Sequence, residues 1–153
     1  MSLGMQSGAI MPYQLSASSS LHSIFSSWVP NLARLNLQGR INAWRPQADI
    51  PGEWFQVDLG HDTKVTGILI QGARSLSSMY ITEFSLSYSN DGLRWAAVQS
   101  SSGQQQIFPG NKDSDTPMWV TMEAPVIARF LKLHPEKWKG GISLRMEVLG
   151  CGV

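Results

Sequence analysis

The sequence is poor in cysteine and in charged residues, and it lacks a long apolar run. Its 153 residues include one cysteine, Cys151, and 15% charged residues that leave a net charge of +1. Such a weak charge argues against a nucleic-acid partner, and no apolar run has the length of a membrane span. The first residues, MSLGMQSG, lack the charged and apolar regions of a signal peptide. We therefore expect an excised fragment that forms one domain.

Motifs that would indicate an enzyme are missing as well. The three histidines, His22, His61 and His134, are far apart in the sequence and form neither an HExxH nor an HxxEH pattern. No serine lies in a GxSxG elbow, and there is no glycine-rich loop of the GxGxxG or GxxxxGK[ST] type. We expect no catalytic residue and no cofactor.

The densest group of acidic residues is the one place in the sequence where a metal site has to be considered. It consists of Asp49, Glu53, Asp58 and Asp62. Carboxylate oxygens can bind calcium, but these carboxylates alternate with apolar residues, as solvated positions on a strand do. The sequence therefore predicts polar surface positions and no metal, with a polar turn at His61-Asp62.

Short segments in which apolar and polar residues alternate dominate the chain. A period of two is typical of β-strands that bury one face. The clearest alternating segments are residues 54–59, 84–89 and 142–149. Residues 65–70 form a short apolar run that suits a strand covered on both faces, and residues 95–98 and 127–133 give further strands. Asn90-Asp91-Gly92 supplies the positive-φ positions that a tight hairpin needs. The sequence predicts an all-β, antiparallel sandwich or barrel.

Basic residues are concentrated towards the two ends of the chain. Residues 1–48 contain no Asp or Glu. The two basic groups are Arg34, Arg40 and Arg45, and Arg129, Lys132, Lys137, Lys139 and Arg145. If these groups meet in the fold, one pole of the domain is positive and attracts anionic lipid or glycan.

The segment from Ser18 to Trp28 fits neither a strand nor a helix pattern. Its apolar residues, notably Ile24 and Phe25, are isolated among serines. Either these two side chains fold back into the core beneath a long loop, or they project from the loop tip and need a partner to cover them. The arginines that follow favour the second interpretation, because apolar tips beside cationic side chains suit an anionic membrane surface.

Several motifs, taken in order along the chain, resemble the F5/8 type C (discoidin) family. They are Ala33–Leu35, Gly39–Trp44, Trp54–Leu59, Val65–Ile68, Ile70–Arg74, Tyr88–Gly92 and Leu144–Cys151. The resemblance covers residues 3–151 and leaves Met1 and Ser2 as an added start. Leu37–Gln47 and Arg145–Cys151 most resemble the C domains of coagulation factors.

The resemblance implies an eight-stranded, galactose-binding-domain-like jelly roll with spike loops at one end. It implies a non-catalytic module that binds phosphatidylserine-bearing membranes. The residues implied to enter the membrane are Ile24, Phe25 and Leu76, those implied to contact anionic head groups are Arg40, Arg45 and Arg74, and a polar pocket is implied at Gln38 and Asn42. The second spike is one residue shorter than in the family pattern, with Ser77 in place of a second leucine.

Cys151 is open to two interpretations when taken alone, a buried thiol or half of a disulfide. The resemblance implies a disulfide whose partner cysteine is absent from this chain. Such a bond implies an extracellular, secreted origin with peripheral membrane association.

The same loops could instead serve a glycan or a protein. A sugar site needs an exposed aromatic face, for which Trp28, Trp44 and Trp138 are candidates, although tryptophans in such patterns also form cores. The resemblance further implies a possible carrier protein such as von Willebrand factor as a partner of the spike surface.

Overall fold

The computed structural model describes residues 1–153 and consists almost entirely of β-strands. The strands are β1 Leu15–Ala17, β2 Leu21–Ser23, β3 Ser26–Trp28, β4 Phe55–Gln71, β5 Tyr80–Ser89, β6 Ala96–Ala97, β7 Phe108–Pro109, β8 Met118–Lys139 and β9 Arg145–Gly152. Two 3₁₀ turns, Pro12–Gln14 and Pro30–Leu32, are the only helical elements, and no helix has the length and hydrophobicity that a membrane crossing requires.

The two long strands, β4 and β8, organise the molecule. They pair with each other, and β4 also pairs with β1 and β9, whereas β8 also pairs with β5. The first half of β4 lies with β1, and its second half lies with β9. Strands that bend in this way pass from one layer of a sandwich to the other and close it. The prediction of an all-β, jelly-roll sandwich is confirmed.

The prediction of a polar turn at His61-Asp62 was wrong. The two predicted strands, residues 54–59 and 65–70, form the single strand β4, which begins at Phe55 and whose register against β8 shifts between Asp58 and Thr63. Gly60 there has a φ of +85°. Glycine adopts this conformation without steric cost, so the chain forms a bulge and continues. The structure nevertheless has nine strands, the short β2 and β3 among them, where the resemblance implied eight.

The hairpin predicted around Asn90-Asp91-Gly92 is present. β5 ends at Ser89 and pairs antiparallel with β6, and Gly92 has a φ of +77°. The carboxylate of Asp91 accepts hydrogen bonds from the backbone N–H groups of Leu93 and Arg94, at 2.8 and 2.9 Å. The turn is therefore held by the side chain that the sequence pattern suggested.

The core lies between the two layers and is rich in aromatic contacts. Trp44 and Phe55 have ring centroids 5.5 Å apart, and Phe84 stacks on Phe108 at 5.3 Å. All four side chains are buried. Contacts of this kind add to the apolar area removed from water, which is the main source of stability.

The last strand, β9, departs from the alternation that the sequence shows, because both of its faces are buried. Arg145 and Glu147 are buried as fully as their apolar neighbours Met146 and Val148. Glu147 accepts backbone hydrogen bonds from Gly4, Met5 and Gln6 at 3.2, 2.8 and 3.0 Å. The N-terminal segment thus covers the face that was expected to meet solvent, and it satisfies the buried charge.

The strand directions define two poles. The end of the sandwich where β5 and β9 begin is called the loop end here, and the end where they finish is the far end. β5 has ten residues, so the two ends are about 30 Å apart at a rise of about 3.3 Å per residue.

Candidate functional site

Strands β2 and β3 form a hairpin that projects from the loop end. Ser23 pairs with Ser26, so Ile24 and Phe25 form a two-residue turn at its tip. Their side chains are 92% and 81% exposed. Of the two alternatives that the sequence left open, the structure therefore shows the projecting one.

The base of this hairpin is attached firmly to the sandwich. The N–H of Leu21 donates to the carbonyl of Arg45 at 2.8 Å, and the N–H of Arg45 donates to the carbonyl of Trp28 at 3.1 Å. Trp28 is buried, so the hairpin carries exposed apolar residues on a rigid base.

A second loop, residues 74–78, projects beside the hairpin and presents Leu76. The side chain of Leu76 is fully exposed, and a hydrogen bond of 3.1 Å from the N–H of Ala73 to the carbonyl of Met79 closes the loop. Gly140 packs against the end of this loop, and a Cβ at that position would overlap the carbonyl oxygen of Ser78. A glycine is required there because the two backbones approach so closely.

An open groove of about 540 Å³ separates the two loops. Its lining combines apolar side chains with arginines and includes Ser26, Trp28, Arg40, Arg74, Leu76 and Met79. It is the largest cavity of the molecule and lies at the centre of the loop end.

The three arginines predicted to contact head groups all reach the loop end. Arg40 and Arg74 are exposed, and Arg45 is half-buried with its guanidinium 5.2 Å from the ring centre of Trp28. None of the three forms an ion pair. Their charges are therefore free to act on an anionic ligand.

The polar pocket implied at Gln38 and Asn42 divides into two different environments. Gln38 is exposed and accepts a hydrogen bond of 2.6 Å from Arg74. Asn42 is completely buried, and both ends of its amide bind within the protein. Only Gln38 is thus accessible to a ligand.

Sequence reasoning missed Ile50, which lies on a third loop, residues 48–52. Its side chain is 53% exposed, and its neighbour Asp49 ties this loop to the loop end by accepting a hydrogen bond of 2.8 Å from the N–H of Ile142. An apolar residue between an aspartate and a proline, outside any alternating pattern, was the available signal.

The condition that the two basic groups meet is fulfilled only in part. Lys139, paired with Tyr80, and Arg145, the first residue of β9, lie at the loop end. Arg145 is buried, and Lys137 forms an ion pair with Glu83 at 3.6 Å. The positive character of the loop end thus comes mainly from the first basic group.

Arg129 and Lys132 lie away from the loop end, on the outside of the sheet. Arg129 binds the carboxylate of Asp58 at 2.9 and 3.0 Å, and this hydrogen bonding lowers the pKa of Asp58. The ammonium of Lys132 lies 4.6 Å from the ring centre of Trp54 and 3.9 Å from that of Trp95. Burial lowers the pKa of Lys132.

The remaining carboxylates of the acidic group are separated from one another. Glu53 accepts hydrogen bonds from Ser18 and Ser19, and Asp62 accepts one of 2.9 Å from Asn90. These side chains tie neighbouring segments together, as solvated polar residues of a surface do.

The tryptophans proposed for a sugar site are largely covered. Trp44 is completely buried and Trp28 nearly so, while Trp138 packs partly against the core. Trp119, to which the sequence assigned no role, is 71% exposed on the outer face of β8. No exposed aromatic face lines the groove.

Cys151 is an exposed free thiol at the far end of β9. It lies opposite Lys64 in the register of β4 and β9. Met1 reaches the same region, since its carbonyl accepts a hydrogen bond of 2.9 Å from the N–H of Gly150. The cysteine is thus at the pole opposite the groove.

Known proteins with similar sequences share this architecture. Residues 14–148 match the F5/8 type C domain. The chain is 51% identical to coagulation factor VIII of Canis lupus familiaris and 42% identical to coagulation factor V of Pseudonaja textilis, over 99% of its length in both cases. It spans only 6% and 10% of these two proteins.

A solved structure shows the same fold. Discoidin II from Dictyostelium discoideum superposes with a TM-score of 0.78 and 20% identity, covering 91% of this chain and 55% of that one. The prediction of a factor VIII-like discoidin domain is confirmed, and the chain is a non-catalytic domain of that type.

Proposed function

The chain belongs to the F5/8 type C domain family, and on that premise we propose that it is a peripheral membrane-binding module that recognises phosphatidylserine. The two loops of the loop end enter the apolar part of one leaflet, and the arginines between them meet the anionic head groups. We also propose that the domain spans residues 3–151 and acts outside the cell, as suits a relative of proteins named coagulation factors.

The observation that carries this proposal is the exposure of apolar tips on both sides of a cationic groove. Ile24, Phe25 and Leu76 are among the most exposed large apolar side chains of the molecule. In water such side chains are unfavourable, and a cluster of them marks an interaction surface. Arg40 and Arg74 line the groove between them without an acidic partner, so the surface offers apolar contacts and positive charge together.

The energies suffice for reversible binding. Transfer of each apolar tip into hydrocarbon contributes about 1.5–3 kcal/mol, and each arginine near an anionic surface adds about 1 kcal/mol. The cost of association offsets part of this gain, which leaves an affinity of about micromolar. Because the charges are exposed, binding weakens as salt is added.

The experiment is sedimentation of the domain with phosphatidylcholine vesicles that contain or lack phosphatidylserine, repeated over a range of salt concentrations. The wild-type domain should sediment only with the phosphatidylserine vesicles, and less so at high salt. The double variant Ile24→Ala, Phe25→Ala should remain folded and lose this binding, because its apolar tip no longer enters the bilayer.

Leu93→Ala is the matched control. Leu93 is 85% exposed but lies beyond β5 at the far end, so its removal should leave sedimentation unchanged. Equal loss of binding in both variants, or full binding by the double variant, would contradict the proposal. Capture of a glycan or of a carrier protein such as von Willebrand factor without any vesicle binding would assign the loop end to the alternative ligand instead.

A further inference from the structure

Two chain segments meet beneath the groove without any backbone hydrogen bond between them. They are residues 36–39, which lead to Arg40, and residues 71–74, which end at Arg74. Neighbouring segments of this kind are usually joined by a β-ladder. Here side chains join them instead.

The first two connections come from Gln71 and Arg145. Gln71 accepts a hydrogen bond of 2.8 Å from the N–H of Asn36 and donates one of 3.1 Å to the Asn36 side chain. Arg145 donates from Nε to the carbonyl of Gly72 at 2.7 Å and from Nη1 to the carbonyl of Leu37 at 2.9 Å.

Asn42 makes the connection nearest to the groove. Its Nδ2 donates to the carbonyls of Gly39 and Arg74 at 2.8 and 2.6 Å, and its Oδ1 accepts from the N–H of Arg74 at 2.8 Å. One buried amide thus holds the backbone of Arg74 against the residue that precedes Arg40. Since Asn42 is completely buried, it acts on a ligand only through these neighbours.

We propose that Asn42 is a positioning residue that fixes the spacing of Arg40 and Arg74, and thereby gives the groove a preference for head groups that carry a carboxylate beside a phosphate. The inference rests on the proposed membrane-binding function and deepens it. Phosphatidylserine and phosphatidylglycerol have the same net charge, so attraction to a general positive field does not separate them. Two guanidinium groups at a fixed spacing distinguish the two lipids, because one group can bind the phosphate while the other binds the carboxylate of the serine.

The test compares wild-type and Asn42→Ala domains on vesicles that contain either phosphatidylserine or phosphatidylglycerol. The wild-type domain should prefer phosphatidylserine. The variant keeps every charge, so it should bind phosphatidylglycerol as before, while its affinity for phosphatidylserine falls about fivefold, the scale of one lost hydrogen bond.

Asn111→Ala is the matched control. Asn111 is also buried and also donates to two carbonyls, those of Ile70 and Thr116, at 2.7 and 3.2 Å. It contacts neither arginine loop. Its removal should lower thermal stability to a similar degree and leave the ratio of the two lipid affinities unchanged. A purely structural role for Asn42 predicts the same unchanged ratio in both variants.

Asn42→Asp covers the case in which the alanine variant does not fold. Its carboxyl retains the acceptor for the N–H of Arg74 but faces two carbonyl oxygens, which raises the pKa of that carboxyl. Protonation of this carboxyl restores one donated hydrogen bond. The preference of the variant for phosphatidylserine, compared with that of the wild-type domain at the same pH, should therefore recover as the pH falls.

The outcomes separate the two proposals. Failure of the wild-type domain to bind phosphatidylserine vesicles overturns the proposed function, and the role of Asn42 with it. Wild-type binding with equal affinity for both lipids, or an unchanged preference in both Asn42 variants at every pH, overturns the inference alone.

Discussion

Arg40 donates a hydrogen bond of 2.7 Å from Nη2 to the backbone carbonyl of Phe25, at the tip of the hairpin. The same guanidinium lines the groove. One side chain therefore supplies positive charge and also holds the apolar tip in position. These two contributions can be separated by substitution.

Arg40→Lys should keep the charge and lose the fixed hydrogen bond, because an ammonium lacks the planar fork of a guanidinium. We expect affinity for phosphatidylserine vesicles to fall about two- to fivefold, with an unchanged dependence on salt. Arg40→Gln removes the charge as well, so binding should be weaker still and less sensitive to salt. Identical salt dependence in all three proteins would show that Arg40 does not contact the lipid charge.

A substitution at Ser77, in the second loop, should increase the affinity for vesicles. The backbone N–H of Ser77 donates to the Ser75 hydroxyl oxygen at 3.2 Å, and the carbonyl of Ser77 accepts a hydrogen bond from that hydroxyl at 2.6 Å, whereas the Ser77 side chain is exposed. Ser77→Leu therefore adds an apolar tip without loss of a contact. We expect tighter vesicle binding by about 1.5–3 kcal/mol, measured by sedimentation. The same substitution at the exposed Ser102, which does not line the groove, should have no effect.

The lysine between two tryptophans is predicted to support the fold and to have no part in lipid binding. Lys132→Ala removes both contacts, and each such contact is worth about 0.5–2 kcal/mol. The free energy of unfolding in urea should fall by about 1–2 kcal/mol, with a change in tryptophan fluorescence from Trp54 and Trp95. Lys132→Met, which keeps an apolar stem over the rings, should recover part of the loss.

His134 should make stability depend on pH. Its Nε2 lies 2.8 Å from the Ser87 hydroxyl, and burial, followed by the charge of Lys132, lowers its pKa. The unfolded chain takes up a proton below about pH 6.5, whereas the folded protein resists protonation until the pH is lower. Stability is therefore full above the unfolded pKa and falls as the pH drops through that window.

His134→Gln should remove that part of the pH dependence while keeping a side chain that can bind Ser87. Thermal unfolding from pH 7.5 to pH 5 measures it, and a wild-type slope that persists in the variant would assign the dependence to other groups.

Of the residues of β9, Glu147 should be the one whose substitution lowers stability most. Glu147→Gln puts an amide NH₂ group among backbone donors, so at least one buried N–H loses its acceptor. We expect a loss of about 2–4 kcal/mol of stability, and faster hydrogen exchange at Met5 and Gln6. Unchanged exchange at these two amides would show that the N-terminal segment is held by other contacts.

Much of this architecture was predictable because alternation reports directly on burial. Phe55, Val57 and Leu59 alternate with polar residues and lie in the core as expected. The same rule failed in β9, because a polar residue in a strand can be buried if it finds partners. Arg145 and Glu147 find theirs on segments more than thirty residues away, which no local pattern contains.

The candidate site, too, was predictable from the sequence only in part. Ile24 and Phe25 stood out because isolated apolar residues among serines match no core pattern, and the resemblance to the family supplied Leu76. Asn42 could not be placed from sequence. The resemblance implied a ligand contact for Asn42, and only the packing shows that its amide is hydrogen-bonded to Gly39 and Arg74.

The position of Cys151 has a practical consequence for orientation. As the only cysteine, and an exposed one, it accepts a single fluorescent or spin label without further mutation. Cys151 lies six residues after Arg145 along β9, so such a label stands about 20 Å from the loop end. A molecule upright on its loops would keep the label in water, beyond the reach of quenchers buried in the lipid. One lying on the Trp119 face would bring it down to the bilayer.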